Sequence, residues 1–165
     1  NIYVFSAYAG GLRISDVLQL TWSNFEDEKL SLTIQKTKKP IRIRIPKKAI
    51  EIINLYRDEK KKPDDLIFPL LKCKNMDNVI DVFNAISSAT AYTNSDLKEI
   101  IKLTKIKKPI SFHTARHTFA TTALQKGMRI EYVSKYMGHS DIKETQIYAK
   151  IINQELDKAI EIFNQ

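Results

Sequence analysis

Two short runs in this chain alternate apolar and polar residues with a period of two. Leu30, Leu32 and Ile34 form the first, and Ile41, Ile43 and Ile45 form the second, on either side of Lys36-Thr37-Lys38-Lys39-Pro40. Successive strand side chains point to opposite faces, so each run buries one face and the lysine-rich stretch between them reads as the tip of a β-hairpin. Elsewhere the apolar residues recur with a helical period. Residues 2–9 are apolar enough to end a helix. Val17, Leu18 and Leu20 belong to a second helix, which Ser15 or Asp16 can cap. After Pro46, Ala49, Ile52, Ile53 and Tyr56 fall on one helix face.

Residues 64–71 read as a loop with a short extended piece. The pattern then predicts a helix over 76–92, with Val79, Val82, Phe83 and Ile86 on one face. Asn94-Ser95-Asp96 starts another that runs to about Leu103. A helix over 113–125 is closed by Gly127, and one over 130–137 ends at Gly138. Asp141 and Glu144 stand at the spacing of a capping box, opening a helix to Lys150. A final amphipathic helix over 153–163 carries Leu156, Ile160 and Phe163 on one stripe. The expected fold class is therefore α+β, mostly helical, with one small antiparallel sheet.

Charge changes this picture more than composition does. The net charge of +8 points to an anionic partner. From Lys29 to Lys48 there are eight Lys or Arg residues and no Asp or Glu. Lys102, Lys105, Lys107 and Lys108 make a second cluster. Lys38, Lys39, Arg42, Arg44, Lys107 and Lys108 are the candidates for contacts to a phosphate backbone. A solvated basic face is the bland alternative, and Lys60-Lys61-Lys62, before Pro63-Asp64-Asp65, fits it better. A length of 165 residues suits one domain with a sizeable core. No stretch approaches the roughly 20 apolar residues of a membrane span, and the opening residues carry no secretory signal. The single cysteine, Cys73, forms no internal disulfide, which makes the cytoplasm the expected compartment.

The chemistry concentrates near the C-terminus. His113 and Arg116 stand at i and i+3 in His113-Thr114-Ala115-Arg116-His117, on one face of a helix. Gly138-His139-Ser140 reads as a helix end followed by a new start, and Tyr148 falls about two turns later. Arginine offers phosphate oxygens a planar fork of donors, and a tyrosine hydroxyl can act as a nucleophile. Each residue alone has an ordinary reading: Tyr148 as a half-buried aromatic, Arg13 as a helix cap or a partner of Asp16, Trp22 as core.

Together these residues resemble the tyrosine recombinase family, also called the phage integrase family. HTARH matches its H-x-x-R-H box, MGHS its [LM]-G-H-S box, and Thr145-x-x-Tyr148 its tyrosine box. Gly11-Leu12-Arg13-Ile14-Ser15-Asp16 matches an upstream G-L-R-x-[ST]-[DE] box. The wording TQIYAK is most similar to integrases of conjugative transposons and related mobile elements. Gly10 stands where the family often has Thr, and Lys150 where many members have His.

The resemblance implies that residues 1–165 are a tyrosine recombinase catalytic domain, without the N-terminal DNA-binding domains that members usually carry. It implies site-specific recombination through a 3′-phosphotyrosyl intermediate. Arg13 and Arg116 would clamp the phosphate, and Tyr148 would attack it. Lys36 would protonate the leaving 5′ oxygen, with Lys38 and Lys39 as alternatives. His113 would assist proton transfer, and His139 would donate to a phosphate oxygen. Asp16 would orient an arginine, and His117 would support the site from the core. No metal or cofactor is called for, since two arginines supply the positive charge and no carboxylate cluster resembles a two-metal nuclease. The expected partners are double-stranded DNA and further protomers in a synaptic tetramer, with no membrane, in a bacterial cytoplasm and close to the nucleoid. The helix after the tyrosine would dock either on its own domain or on a neighbouring protomer. DNA relaxation of the type IB topoisomerase kind, or non-catalytic DNA binding, are the alternative functions.

Overall fold

The computed structural model describes residues 1–150. Its elements run α1 (Ile2–Tyr8), α2 (Ile14–Leu18), a 3-10 turn at Trp22–Asn24, β1 (Phe25–Glu26), β2 (Lys29–Thr33) and β3 (Pro40–Arg44). Then follow α3 (Lys47–Asn54), α4 (Val79–Lys102), α5 (Phe112–Gln125) and α6 (Ile130–Tyr136). Residues 143–150 form a further helix, α7, which carries Tyr148.

The alternating runs form β2 and β3, paired antiparallel with Leu30 opposite Ile43 and Leu32 opposite Ile41. Leu30 and Ile43 point into the core, whereas Lys29, Ser31, Arg42 and Arg44 face solvent. A two-residue strand, β1, extends the sheet with Phe25 opposite Leu30. It is too short to show a period in the sequence. The chain from Leu66 to Phe68 lies beside Thr21, with Ile67 N–H donating to the Leu20 carbonyl. Ile67 and Phe68 are thereby buried, Phe68 with its ring against Phe5 and Tyr56. Each large apolar side chain fully buried in this way contributes roughly 1.5–3 kcal/mol.

Helix α1 packs between α5 and α3. The main core gathers Phe5, Leu12, Val17, Leu18, Leu30, Ile34, Ile43, Ile53 and Phe68. A second apolar cluster joins α5 to α6 and α7 through Phe119, Ala120, Ala123, Val133, Met137 and Tyr148.

Three sequence expectations need correction. Helix α2 begins at Ile14 with Arg13 as its N-cap, so neither Ser15 nor Asp16 caps it. Asp16 is instead turned inward and buried. Residues 76–92 and 94–103 do not form two helices. They form the single 24-residue helix α4, capped by the Asn78 side chain. The signal at Asn94 is used differently: its Oδ1 accepts from Phe112 N–H at 2.8 Å. It therefore satisfies an orphan donor at the start of α5 rather than of its own helix. The expected apolar face of α4 holds only in part: Val82 and Ile86 are half-buried, Ile86 against the core. Val79 and Phe83 are exposed, and the small residues Ala85 and Ala89 are the ones buried. Small side chains let two backbones approach closely, and hydrophobic periodicity does not register that. The expected helix over 153–163 lies outside the described residues. Among the described residues no helix is long and apolar enough to cross a membrane.

Candidate active site

Four segments converge on Arg116. The first is Gly11-Leu12-Arg13 between α1 and α2. The second is the hairpin tip, the third is α5, and the fourth is the turn from α6 into α7. Helix α5 presents His113, Arg116 and His117 because its cap at Ser111 is tied to Asn94 on α4. Arg116 is buried, 3% exposed. Its Nη1 donates to the Gly11 carbonyl at 2.6 Å and its Nη2 to the Met137 carbonyl at 2.7 Å. The side chain thus joins the first and fourth segments. Burial, then the neighbouring charge of Arg13, lowers its pKa to about 10, which still leaves it charged at neutral pH.

Gly11 allows this contact. It has φ +64°, and a Cβ there would lie 3.2 Å from the Arg116 Cα and 3.2 Å from the Phe119 Cβ. Arg13 follows two residues on. Its Nη1 is buried and has no hydrogen-bond partner among the described residues. A cleft of about 310 Å³ opens here, lined by Arg13, Ser15, Asn94, Ser111, His113 and Arg116.

Asp16 does something the sequence did not reveal. Its Oδ1 accepts from Gln35 N–H at 2.8 Å, tying α2 to the hairpin tip. Its carboxylate lies within the fields of Arg13 and Arg116, but burial dominates and raises its pKa. Beside its expected part in orienting an arginine, Asp16 has a hydrogen bond that holds the hairpin close to Arg13 and Arg116. Lys36 sits in the adjacent turn. Its charge acts on both His139 and Glu144. Lys38 Nζ donates to Gln35 Oε1 and Lys39 Nζ to the Ser140 carbonyl, each at 3.4 Å. The tip also docks on the α6–α7 turn, where the Thr37 hydroxyl donates to the Gly138 carbonyl at 3.4 Å.

His139 leaves that turn with Nδ1 2.7 Å from Thr145 Oγ1. Burial first, then the charge of Arg116, lowers its pKa to about 4, so the ring is neutral at pH 7. Glu144 accepts from Ser140 N–H at 3.1 Å and Asp141 Oδ1 from Lys143 N–H at 2.8 Å, so the two carboxylates cap the turn into α7, each on a donor one residue earlier than the expected capping box would use. Tyr148 is 3% exposed in the α5–α6–α7 cluster. Burial raises the pKa of its phenol, against the opposing pull of Arg116 and Arg13. It is protonated at neutral pH and needs an acceptor for its proton before it can attack.

The His117 ring bridges two of the candidates, 5.3 Å from Tyr148 and 4.7 Å from His113 between centroids. His113 is exposed at the cleft, and burial and then the His117 charge lower its pKa. The structure therefore places Arg13, His113 and Arg116 on the cleft, His139 and Tyr148 within electrostatic reach of both arginines, and Lys36 within reach of His139. Asp16 is tied to the hairpin beside them, and His117 is packed between His113 and Tyr148.

The proposed DNA contacts are scattered. Lys38 and Lys39 lie at the hairpin tip, and Arg42 is exposed on the outer sheet face. Lys107 and Lys108 are exposed in the loop before α5. Arg44 stands at the opposite end of β3 from the tip, about 14 Å along the strand at 3.4 Å per residue. There it forms a 2.5 Å ion pair with Glu28. Trp22 is half-buried under the Arg57 guanidinium, 5.4 Å from its ring centroid. Two site features went unassigned in the sequence, Glu144 and Thr145. The signal for Thr145 was its i, i+3 spacing to Tyr148, which places both on the buried face of α7.

Comparison with known proteins identifies the family to which this fold belongs. A family model described as the phage integrase family matches residues 2–155. The chain is 32% identical over 151 residues to tyrosine recombinase XerD of Lacticaseibacillus casei, covering 90% of this chain and 49% of that protein. A crystal structure of XerA recombinase shares the fold with a TM-score of 0.67 at 19% identity, covering 97% of this chain and 54% of that one. The Tn1549 transposon integrase, in complex with circular intermediate DNA, gives a TM-score of 0.55 at 22% identity, covering 89% and 52%. The chain spans about half the length of the relatives it matches. With the family model covering nearly all of it, the chain belongs to the phage integrase family.

Proposed function

We propose that the protein cleaves and rejoins double-stranded DNA at specific sites through a 3′-phosphotyrosyl intermediate. The observation that carries this reading is the buried Arg13 Nη1, without a partner among the described residues, in a cleft it shares with His113 and Arg116, while the charges of both arginines reach Tyr148 and His139. An unsatisfied buried guanidinium donor is costly, and a phosphate oxygen would satisfy it. The Tn1549 integrase, bound to DNA, supports DNA as the source of that phosphate.

In this reading the Tyr148 oxygen attacks phosphorus and the bond to the 5′ oxygen breaks. The phenol proton passes to the neutral imidazole of His113, directly or through water. Lys36 delivers a proton to the leaving 5′ oxygen. Arg13, Arg116 and His139 donate to the non-bridging oxygens, where charge builds in the transition state. A 5′ hydroxyl from a second strand then attacks the phosphotyrosine, releases Tyr148 and completes the exchange.

Residues 1–165 act as the catalytic domain, and DNA-binding domains in a longer protein supply most of the affinity and site choice. Recombination requires several protomers on two duplexes, and the residues after Tyr148 are suited to link them. Work on chromosomal or element DNA places the protein with the nucleoid of a bacterial cytoplasm.

The test is a nicked suicide duplex carrying the cleavage site of the full-length protein. Wild type should form a covalent DNA adduct, and Tyr148→Phe should form none while binding DNA nearly as well. An adduct with the Phe variant would remove Tyr148 as the nucleophile. Relaxation of one supercoiled plasmid without joining of two duplexes would favour the topoisomerase-like alternative. DNA binding without any adduct would favour a non-catalytic module.

A further inference from the structure

The α7 helix holds a second polar group beside the tyrosine. Thr145 is fully buried, 0% exposed, one turn before Tyr148. Helical threonines commonly return their hydroxyl to the preceding turn. Thr90 donates to the Ile86 carbonyl, Thr118 to Thr114 and Thr121 to His117 in this way. The Thr145 hydroxyl instead meets His139 Nδ1 at 2.7 Å, across the turn that joins α6 to α7.

The direction of this hydrogen bond follows from the surroundings. Among the described residues the Thr145 hydroxyl makes no hydrogen bond other than the one to His139, so no carbonyl takes its proton. If Nδ1 carried the proton, the buried hydroxyl would have to place its own proton elsewhere. If Thr145 donates, that proton is satisfied and Nδ1 is the acceptor. A neutral imidazole carries one N–H, so the proton then resides on Nε2.

We propose that Thr145 is a positioning residue for His139: its hydroxyl donates to Nδ1 and fixes the neutral tautomer that presents Nε2–H to the reacting phosphate. This role rests on the recombinase reading only in naming the phosphate. Thr145 and Tyr148 share one helix, so the hydrogen bond forms when α7 seats the tyrosine in its cluster. Nucleophile and oxyanion donor are thereby set by one docking event. The charged groups around His139 are Arg116, Glu144, Arg13 and Lys36. Burial and the three cations keep the ring neutral at pH 7 against the opposing pull of Glu144, and this is the state in which its tautomer matters.

The tautomer can be read without DNA. In the 165-residue chain with 15N-labelled histidine, long-range proton–nitrogen correlation at pH 7 reports which ring nitrogen of His139 is protonated. His139→Gln identifies the signal. Wild type should show Nε2–H, Thr145→Val should lose that preference, and Thr145→Ser should restore it. An Nδ1–H tautomer in wild type would overturn the proposal even if the valine variant does not fold. So would an unchanged tautomer in a folded valine variant.

On the suicide duplex, Thr145→Val should slow adduct formation by roughly 10²-fold, the scale of losing one oriented oxyanion donor. DNA binding should be unchanged, and serine should recover most of the rate. A loss that serine does not recover would reduce Thr145 to a packing role. Absence of an adduct with wild type would count against the recombinase reading, and the nitrogen correlation would still decide the role of Thr145.

Discussion

Arg116 and Arg13 carry the same charge into the same cleft but are held in different ways. Arg116 gives two donors to the backbone carbonyls of Gly11 and Met137, whereas Arg13 Nη1 has no partner among the described residues. Both Ala variants should slow cleavage by roughly 10³-fold or more, the scale of an arginine that stabilises phosphoryl transfer. Their stabilities should separate. Arg116→Ala removes two charged hydrogen bonds and should cost about 3 kcal/mol, and Arg13→Ala should cost much less. Single-turnover cleavage alongside denaturant unfolding checks this. Equal stability losses would mean that the two carbonyl contacts do not hold the segments together.

Lys36 belongs to the same scale. Its role in expelling the 5′ oxygen predicts rescue by a 5′-bridging phosphorothiolate, whose leaving group needs little protonation. Lys36→Ala should regain much of its activity on that substrate, and Arg116→Ala should not. Rescue of Lys38→Ala or Lys39→Ala instead would transfer the role to a neighbour.

At the scale of elements, the site depends on how the hairpin tip meets the α6–α7 turn. Gly138 has φ +61°, and a Cβ on it would lie 2.7 Å from Ile34 Cγ1. Glycine there both ends α6 and admits the hairpin that carries Lys36. Gly138→Ala should destabilise the domain by about 1–3 kcal/mol, from strained backbone plus the clash. It should also slow cleavage, because His139 follows directly. Ile34→Ala removes the opposing atoms, so in a double-mutant cycle the second substitution should recover part of the first loss. Strictly additive losses would show that the hairpin does not press on this turn.

For the whole molecule, the buried titratable groups set how stability responds to acid. The folded-state pKa of His139 is lowered to about 4 from 6.5. Between those values the unfolded chain binds the proton more readily, so stability is lost as pH falls from about 6.5 to about 4. At 1.36 kcal/mol per pKa unit the ceiling is about 3.4 kcal/mol, and solvent screening of the half-buried ring brings the effect below it. The exposed His113 acts in the same direction. Asp16 acts in the opposite one: its raised pKa makes the folded state take up a proton before the unfolded state does. Unfolding followed from pH 7 to pH 4 should show falling stability, with a shallower decline in His139→Gln. An identical slope in that variant would place the acid sensitivity elsewhere. The positive charge has a matching distribution. Lys36, Lys38 and Lys39 at the tip and Lys107 and Lys108 before α5 are carried by exposed segments that flank the cleft elements. Arg44, paired with Glu28, stands apart.

The local sequence determined much of this protein. Period-two alternation fixed the hairpin and its buried face, because each strand residue points opposite to the one before it. Gly127, Gly138 and the Asp141–Glu144 pair fixed helix ends, because caps satisfy orphan backbone groups within a few residues. Motif spacing marks Arg13, His113, Arg116, His139 and Tyr148 as the candidate reacting residues, and the hairpin tip marks Lys36 beside Lys38 and Lys39. Tertiary structure decided what such short-range signals do not contain. It merged 79–102 into one helix and turned Asn94 toward the start of α5. It buried Ala85 and Ala89 in place of the larger Val79 and Phe83. It turned Asp16 from a supposed helix cap into a tether for the hairpin. It also gave Thr145 a histidine to hold. In each case the deciding partner lies beyond the residue's own turn of chain. Only packing of one element on another creates it.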